Sequence, residues 1–122
     1  MAKTPERKVK DKVVAQLKAL GAYYFYPVTS GFGTSGVFDI VVCHKGVFIG
    51  IECKADAKAK GPTKLQSLNA CKAVSSCAIV LLLDNSNYTY LTTVLKKVEG
   101  LTHGSREELG RLSIWPFDGV IS

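Results

Sequence analysis

Residues 36–54 read GVFDIVVCHKGVFIGIECK. Two apolar runs, Phe38–Cys43 and Val47–Cys53, flank a turn-like His44-Lys45-Gly46. Each run carries one carboxylate, Asp39 in the first and Glu52 in the second, and Lys54 follows Glu52 two residues on. Runs of this length with β-branched residues read as strands, and the glycine reads as the turn between them. A two-residue turn at Lys45-Gly46 sets His44 opposite Val47. Continued outward, that register brings Asp39 opposite Glu52, with Cβ atoms roughly 5 Å apart on one face of the sheet. Lys54 projects from the same face, because side chains alternate along a strand. A slip of one residue would send the acids to opposite faces, so the inference depends on the turn.

Two facing carboxylates repel, and burial sharpens the repulsion. A shared proton or a cation between them relieves it. Lys54 can be that cation, giving an ion pair at a sheet end. A divalent ion is the other choice, since Mg²⁺ accepts one or two carboxylates, waters and phosphate oxygens. The backbone carbonyl of Cys53 would be a further oxygen ligand. Beside such an ion, a lysine can position an attacking water and offset charge on a pentavalent phosphate.

The 122-residue chain carries a formal net charge of +6, with 47% hydrophobic and 21% charged residues. That balance is globular, and the length suits a single domain spanning 1–122, with a core of about 5–98 and a C-terminal extension over 99–122. The positive charge favours a polyanionic partner through counterion release. No signal-like or membrane-spanning apolar run is visible, which points to a cytoplasmic protein with no membrane partner. None of the four cysteines stands in a CxxC pair, so they read as reduced and mostly buried.

Around the central hairpin, Thr4-Pro5 opens a helix whose stripe is Val9, Val13, Leu17 and Leu20, ended by Gly21. Ala22–Val28 reads as an aromatic strand and Thr29–Gly36 as a glycine-rich loop that leads straight to Asp39. Lys54–Thr63 is a basic loop before a helix over 63–75, and Ala78–Asp84 is a continuous apolar run, expected as a central, doubly covered strand. Ser86 can cap a helix running to Lys97, although Tyr88, Thr89, Tyr90 and the two following threonines favour β structure. Residues 101–122 hold a short helix at Ser105–Leu112. The order predicts an α/β fold, a mixed sheet flanked by helices. His44 reads as an exposed turn residue, His103 carries no signal, and Trp115 and Phe117 read as packing groups.

The series PERKVKDKVVAQLKALGAYYFYPV, SGVFDIVV and GVFIGIECKADAKAKGPTKLQ resembles the PD-(D/E)XK nucleases, in which Asp ends one strand and Glu-x-Lys sits on the next. More narrowly it resembles the VRR-NUC branch, whose stand-alone members occur in phages and bacteria. The likeness runs from about Pro5 to Asp84. It implies a restriction-endonuclease-like fold of α-β-β-β-α-β order. It also implies a Mg²⁺- or Mn²⁺-dependent endonuclease of DNA, acting as a homodimer on branched substrates such as Holliday junctions. Carried over, the metal set would be Glu6, Asp39, Glu52 and the Cys53 carbonyl, with Lys54 and Gln66 completing the catalytic group.

Each residue has a plainer reading beside this one. Glu6 lies on the inward helical stripe, yet a first-turn acid also suits the helix dipole. Gln66 can equally be a surface glutamine. Lys58, Lys60 and Lys64 serve as phosphate contacts or as a solvated loop. The family often has proline before the aspartate; here Phe38 stands there. A non-catalytic nucleic-acid-binding module with the same fold is the alternative function.

Overall fold

The computed structural model describes residues 3–28, 36–58, 61–101 and 106–117. It is an α/β structure: helix α1 (Pro5–Ala19), strands β1 (Tyr23–Phe25), β2 (Ile40–His44) and β3 (Val47–Cys53), helix α2 (Lys64–Ser75), strand β4 (Ile79–Leu83), helix α3 (Tyr90–Glu99) and a 3₁₀ helix (Arg106–Leu112). The four strands lie in the order β1-β2-β3-β4. β1, β2 and β3 are antiparallel neighbours, and β4 joins β3 in parallel through the α2 crossover.

The central turn sets the register. Lys45 (φ 51°) and Gly46 (φ 82°) both have positive φ, the requirement of a type I′ hairpin whose twist matches its strands. His44 pairs with Val47 and Ile40 with Ile51, as the two-residue turn predicts. Odd-numbered β3 residues then face α1 and α3, where Val47, Ile49, Ile51 and Cys53 join Val9, Val13 and Leu17 in the main core. The other face meets α2 in a smaller cluster of Phe38, Ala70, Val80 and Trp115.

α1 begins where Thr4 Oγ1 accepts the Arg7 N–H at 3.2 Å. It ends in a Schellman turn, with Gly21 N–H on Lys18 O and Ala22 N–H on Leu17 O. α2 closes identically, with Cys77 N–H on Val74 O and Ala78 N–H on Ala73 O. Here the left-handed position is held by Cys77 at φ 69°, where a Cβ is strained. Cys77→Gly is therefore expected to stabilise the fold by about 1 kcal/mol, read as a higher urea midpoint at unchanged slope.

Residues 90–99 are helical despite their β-prone composition. Leu91, Val94, Leu95 and Val98 fall on one buried stripe, and burying that stripe outweighs tenths of a kcal/mol of propensity per residue. The helix starts at Tyr90 rather than near Ser86. Thr89 gives it no side-chain cap; instead Gln16, from α1, accepts the Thr92 N–H at 3.0 Å and donates to Tyr88 O at 2.9 Å.

Three expectations are corrected. β4 ends the strand order instead of lying at its centre. Both its faces are nevertheless covered, and its outer edge is bridged by Ile114, which accepts the Leu82 N–H at 2.8 Å and donates to Val80 O at 3.0 Å. His44 is 2% exposed, its Nε2 lying 3.0 Å from Glu99 Oε1, because strand alternation turns it toward α3. Of the four cysteines, all free, Cys53 alone is fully buried; Cys43 and Cys77 are exposed and Cys71 is half-buried. Trp115 packs as expected, its Nε1 donating to Ser67 Oγ at 3.2 Å. Among the described residues no helix is long and apolar enough to cross a membrane.

Candidate active site

The β2–β3 ladder ends at Ile40 opposite Ile51, so the next residues outward are Asp39 and Glu52. Asp39 leaves the strand in a bend, and its carboxylate takes over from the ladder: Oδ2 accepts the Cys53 N–H at 2.9 Å. The β3 edge thus holds the acid in place. Cys53 directs its N–H toward Asp39 while the Lys54 N–H turns the other way, to Leu83 O at 2.9 Å. In an extended strand one residue's N–H and C=O face the same neighbour, so the Cys53 carbonyl also faces the Asp39 side.

Phe38 supports the bend. It is buried against Trp115 in an edge-to-face contact, with centroids 6.2 Å apart. Its ring lies directly over Gly50, where an added Cβ would come within 2.4 Å of the ring. The aromatic residue thus fills the groove that Gly50 leaves open on the sheet. Ahead of it, Gly36 (φ 84°) presses against the first turn of α2, with the Leu65 and Gln66 backbone within 2.9 Å of where its Cβ would be.

Glu52 is 4% exposed, and its Oε2 is buried without a hydrogen-bond partner. Burial, first, and the neighbouring Asp39 carboxyl, second, push its pKa up to about 8. Lys54, half-buried, opposes this with its charge, but makes no ion pair with either acid. The simple ion-pair reading of these three residues is therefore not what forms. Burial also pushes the Cys53 thiol up to about 12, making it a poor nucleophile and metal ligand.

The remaining expected residues divide. Glu6 is exposed in the first turn of α1 and acts on Glu52 only as a weak like charge. Among the described residues, no three His, Cys, Asp or Glu side chains gather where they could hold a metal ion. Gln66 serves a capping box at α2: its Oε1 accepts the Thr63 N–H at 2.8 Å while Thr63 Oγ1 accepts the Gln66 N–H at 3.1 Å. Lys58 and Lys64 are exposed. Lys60 lies outside the described residues, as does most of the loop expected over Thr29–Gly36.

Lys10 was not anticipated. Its charge acts on the Cys53 thiol, which brings the second turn of α1 near the end of β3. The signal was present, since Lys10 follows Glu6 by four residues on one helical face.

Glu52 Oε2 without a partner, Asp39 beside it and a backbone carbonyl on the same side form a hard oxygen donor set. Such a set fits Mg²⁺ or Mn²⁺, which complete their shells with water and substrate oxygens. Glu6 stands outside it. Comparison of the chain with protein-family models, with curated proteins and with solved structures yields no match.

Proposed function

We propose that this chain is a divalent-metal-dependent endonuclease of restriction-endonuclease-like fold, related to the VRR-NUC branch and hydrolysing DNA phosphodiester bonds. The observation that carries the reading is buried Glu52 beside half-buried Asp39 at the end of β3, one Glu52 oxygen unpartnered, with Lys54 two residues on in the chain. A fold kept only for stability gains nothing from that arrangement, because burying an unsatisfied carboxyl oxygen beside a second carboxyl is costly.

Asp39, Glu52 and the Cys53 carbonyl would hold the ion, which when bound offsets phosphate charge and acidifies a water. The chain's own residues do the rest. Asp39 is fixed by the Cys53 N–H and so fixes the position of Glu52's partner. Lys54 orients the attacking water and offsets charge building on the phosphate oxygens. In the reaction the water oxygen bonds phosphorus as it gives up a proton to solvent, one P–O ester bond breaks, and the departing oxygen takes up a proton from solvent. Lys58, Lys60 and Lys64 follow β3 in the chain and supply phosphate contacts. Glu6 contributes its field from α1, and Gln66 contributes by fixing the start of α2. The +6 charge suits such a substrate, and branched DNA cut by a homodimer is the narrower form of the proposal.

Asp39→Ala and Glu52→Ala are expected to lower Mg²⁺-dependent cleavage at least a thousandfold in a panel of labelled junction, flap, single-stranded and duplex DNA. Circular dichroism should show the fold retained. Wild-type rates in both variants would remove the catalytic assignment. The competing reading, a binding module without catalysis, draws on there being no third side-chain ligand among the described residues. It predicts a gel shift with no cleavage at any Mg²⁺ or Mn²⁺ concentration.

A further inference from the structure

Beyond the acids, the α2-side face of the sheet is exposed at Tyr23 and Phe25 on β1, Cys43 on β2 and Phe48 on β3, while Val41 packs into the smaller cluster. Tyr23 pairs with Cys43, and Cys43 with Phe48. Directly opposed residues share a face, so these three form one row across three strands. Phe25, two residues from Tyr23, lies on the same face. Tyr23, Phe25 and Phe48 are 69%, 47% and 43% exposed. The Tyr23 and Phe25 rings stand 6.4 Å apart at 55°, and Phe48 leans on buried Phe38 with centroids also 6.4 Å apart.

Three outward rings on one sheet face are costly in water unless something covers them. The chemistry of the row favours bases. Flat, separated rings with small Cys43 and Val41 between them offer a stacking face to each of several bases. The whole-chain charge of +6 suits a polyanion and Lys45 stands exposed at the hairpin tip, while the acids of this face are Asp39 and Glu52 at the candidate site. The face also leads to the acids, since Phe48, Gly50 and Glu52 alternate onto it. Phe48 and Glu52 are roughly 13 Å apart along β3, a few nucleotides of single strand.

We infer that Tyr23, Phe25 and Phe48 form a stacking platform for the unpaired bases of a nucleic-acid strand, which they hold on the sheet face beside Asp39 and Glu52. The inference deepens the preceding reading and rests on it for the ligand class. It assigns specificity to unpaired bases, because a ring can stack on a base only once that base is free of its duplex neighbour. Binding to such a row is indifferent to sequence, since every base has a π face.

The test is fluorescence anisotropy with a labelled 12-nucleotide oligothymidine and a duplex of equal length, in EDTA so that nothing is cut. Tyr23→Ala, Phe25→Ala and Phe48→Ala should each weaken single-strand binding by about tenfold, with duplex binding unchanged. Phe48→Leu, which keeps apolar bulk and protects the fold, should weaken it similarly, and Phe25→Tyr should restore it. Wild-type protein that does not bind the single strand, or alanine variants that bind it as wild type does, would overturn the inference. So would a wild-type dimer that the alanine variants dissociate at unchanged oligonucleotide affinity, since the face would then belong to a second copy. Ring-dependent binding without any cleavage would defeat the nuclease reading alone. Cleavage with ring-independent binding would defeat this one alone.

Discussion

Replacing Glu52 by glutamine is expected to make the metal-free protein more stable at pH 8–9 while removing the metal-dependent cleavage proposed for it. Burial and the adjacent Asp39 raise the Glu52 pKa from 4.5 to about 8 in the folded chain. Between those values the folded state binds the proton that the unfolded state has released. Wild-type stability therefore falls as pH climbs from about 4.5 to about 8 and is level above that. That rise from 4.5 to about 8 bounds the loss at about 5 kcal/mol, and local relaxation brings the expected loss to about 3 kcal/mol. Glutamine keeps the shape, carries no charge at any pH, and can donate its amide to the Asp39 carboxylate. Thermal melts in EDTA should show the variant and wild type together near pH 4.5 and diverging steadily toward pH 8. Parallel curves across that range would mean that Glu52 is not held beside Asp39 as described. A buried acid that weakens its own fold near neutral pH is what a group kept for chemistry rather than stability shows.

The second large effect is structural and falls on Gly36. Alanine there would be strained twice. Its φ of 84° lies where an L residue costs about 1–3 kcal/mol. Its Cβ would also stand 2.6 Å from Leu65 C, 2.7 Å from Leu65 O and 2.9 Å from Gln66 N. These are backbone atoms of the first turn of α2, tied down by the Thr63–Gln66 capping box, so no rotamer change relieves the contact. Gly36→Ala is expected to cost about 3–4 kcal/mol, combining strain with overpacking. It should also reduce the proposed cleavage beyond what unfolding explains, because the residues just after Gly36 lead directly to Asp39. Urea titration combined with activity in the surviving folded fraction separates the two effects. A loss under 1 kcal/mol would show that α2 and the Asp39 segment are not in the contact described.

The central hairpin was legible because its determinants are local. A two-residue turn ending in glycine allows one register, and alternation then decides which side chains share a face; the opposition of residues 39 and 52 needs nothing else. Lys45 adopting positive φ beside Gly46 is the part composition did not announce. The α1 stripe and the α2 start at Thr63 were legible for the same reason, since caps and 3.6-residue periods lie within one element.

What lay beyond the sequence involves partners far along the chain. Helix α3 looked β-prone because propensity is weak; Gln16, seventy-six residues from Thr92, supplies the cap that its own Thr89 does not. β4 read as central because its apolar run signals two covered faces. That run says nothing about its edge, which Ile114 closes from the C-terminal extension. His44 seemed to belong to a solvent-facing turn until Glu99 and α3 were folded over it. At the site, the turn alone brought Asp39 and Glu52 together. The burial that pushes the Glu52 pKa up and the approach of Lys10 come from how the helices pack on the sheet, whereas the capture of Gln66 by its cap is local to the start of α2. Short-range geometry is written residue by residue, whereas desolvation depends on every element that closes over a group, and no window of sequence contains that.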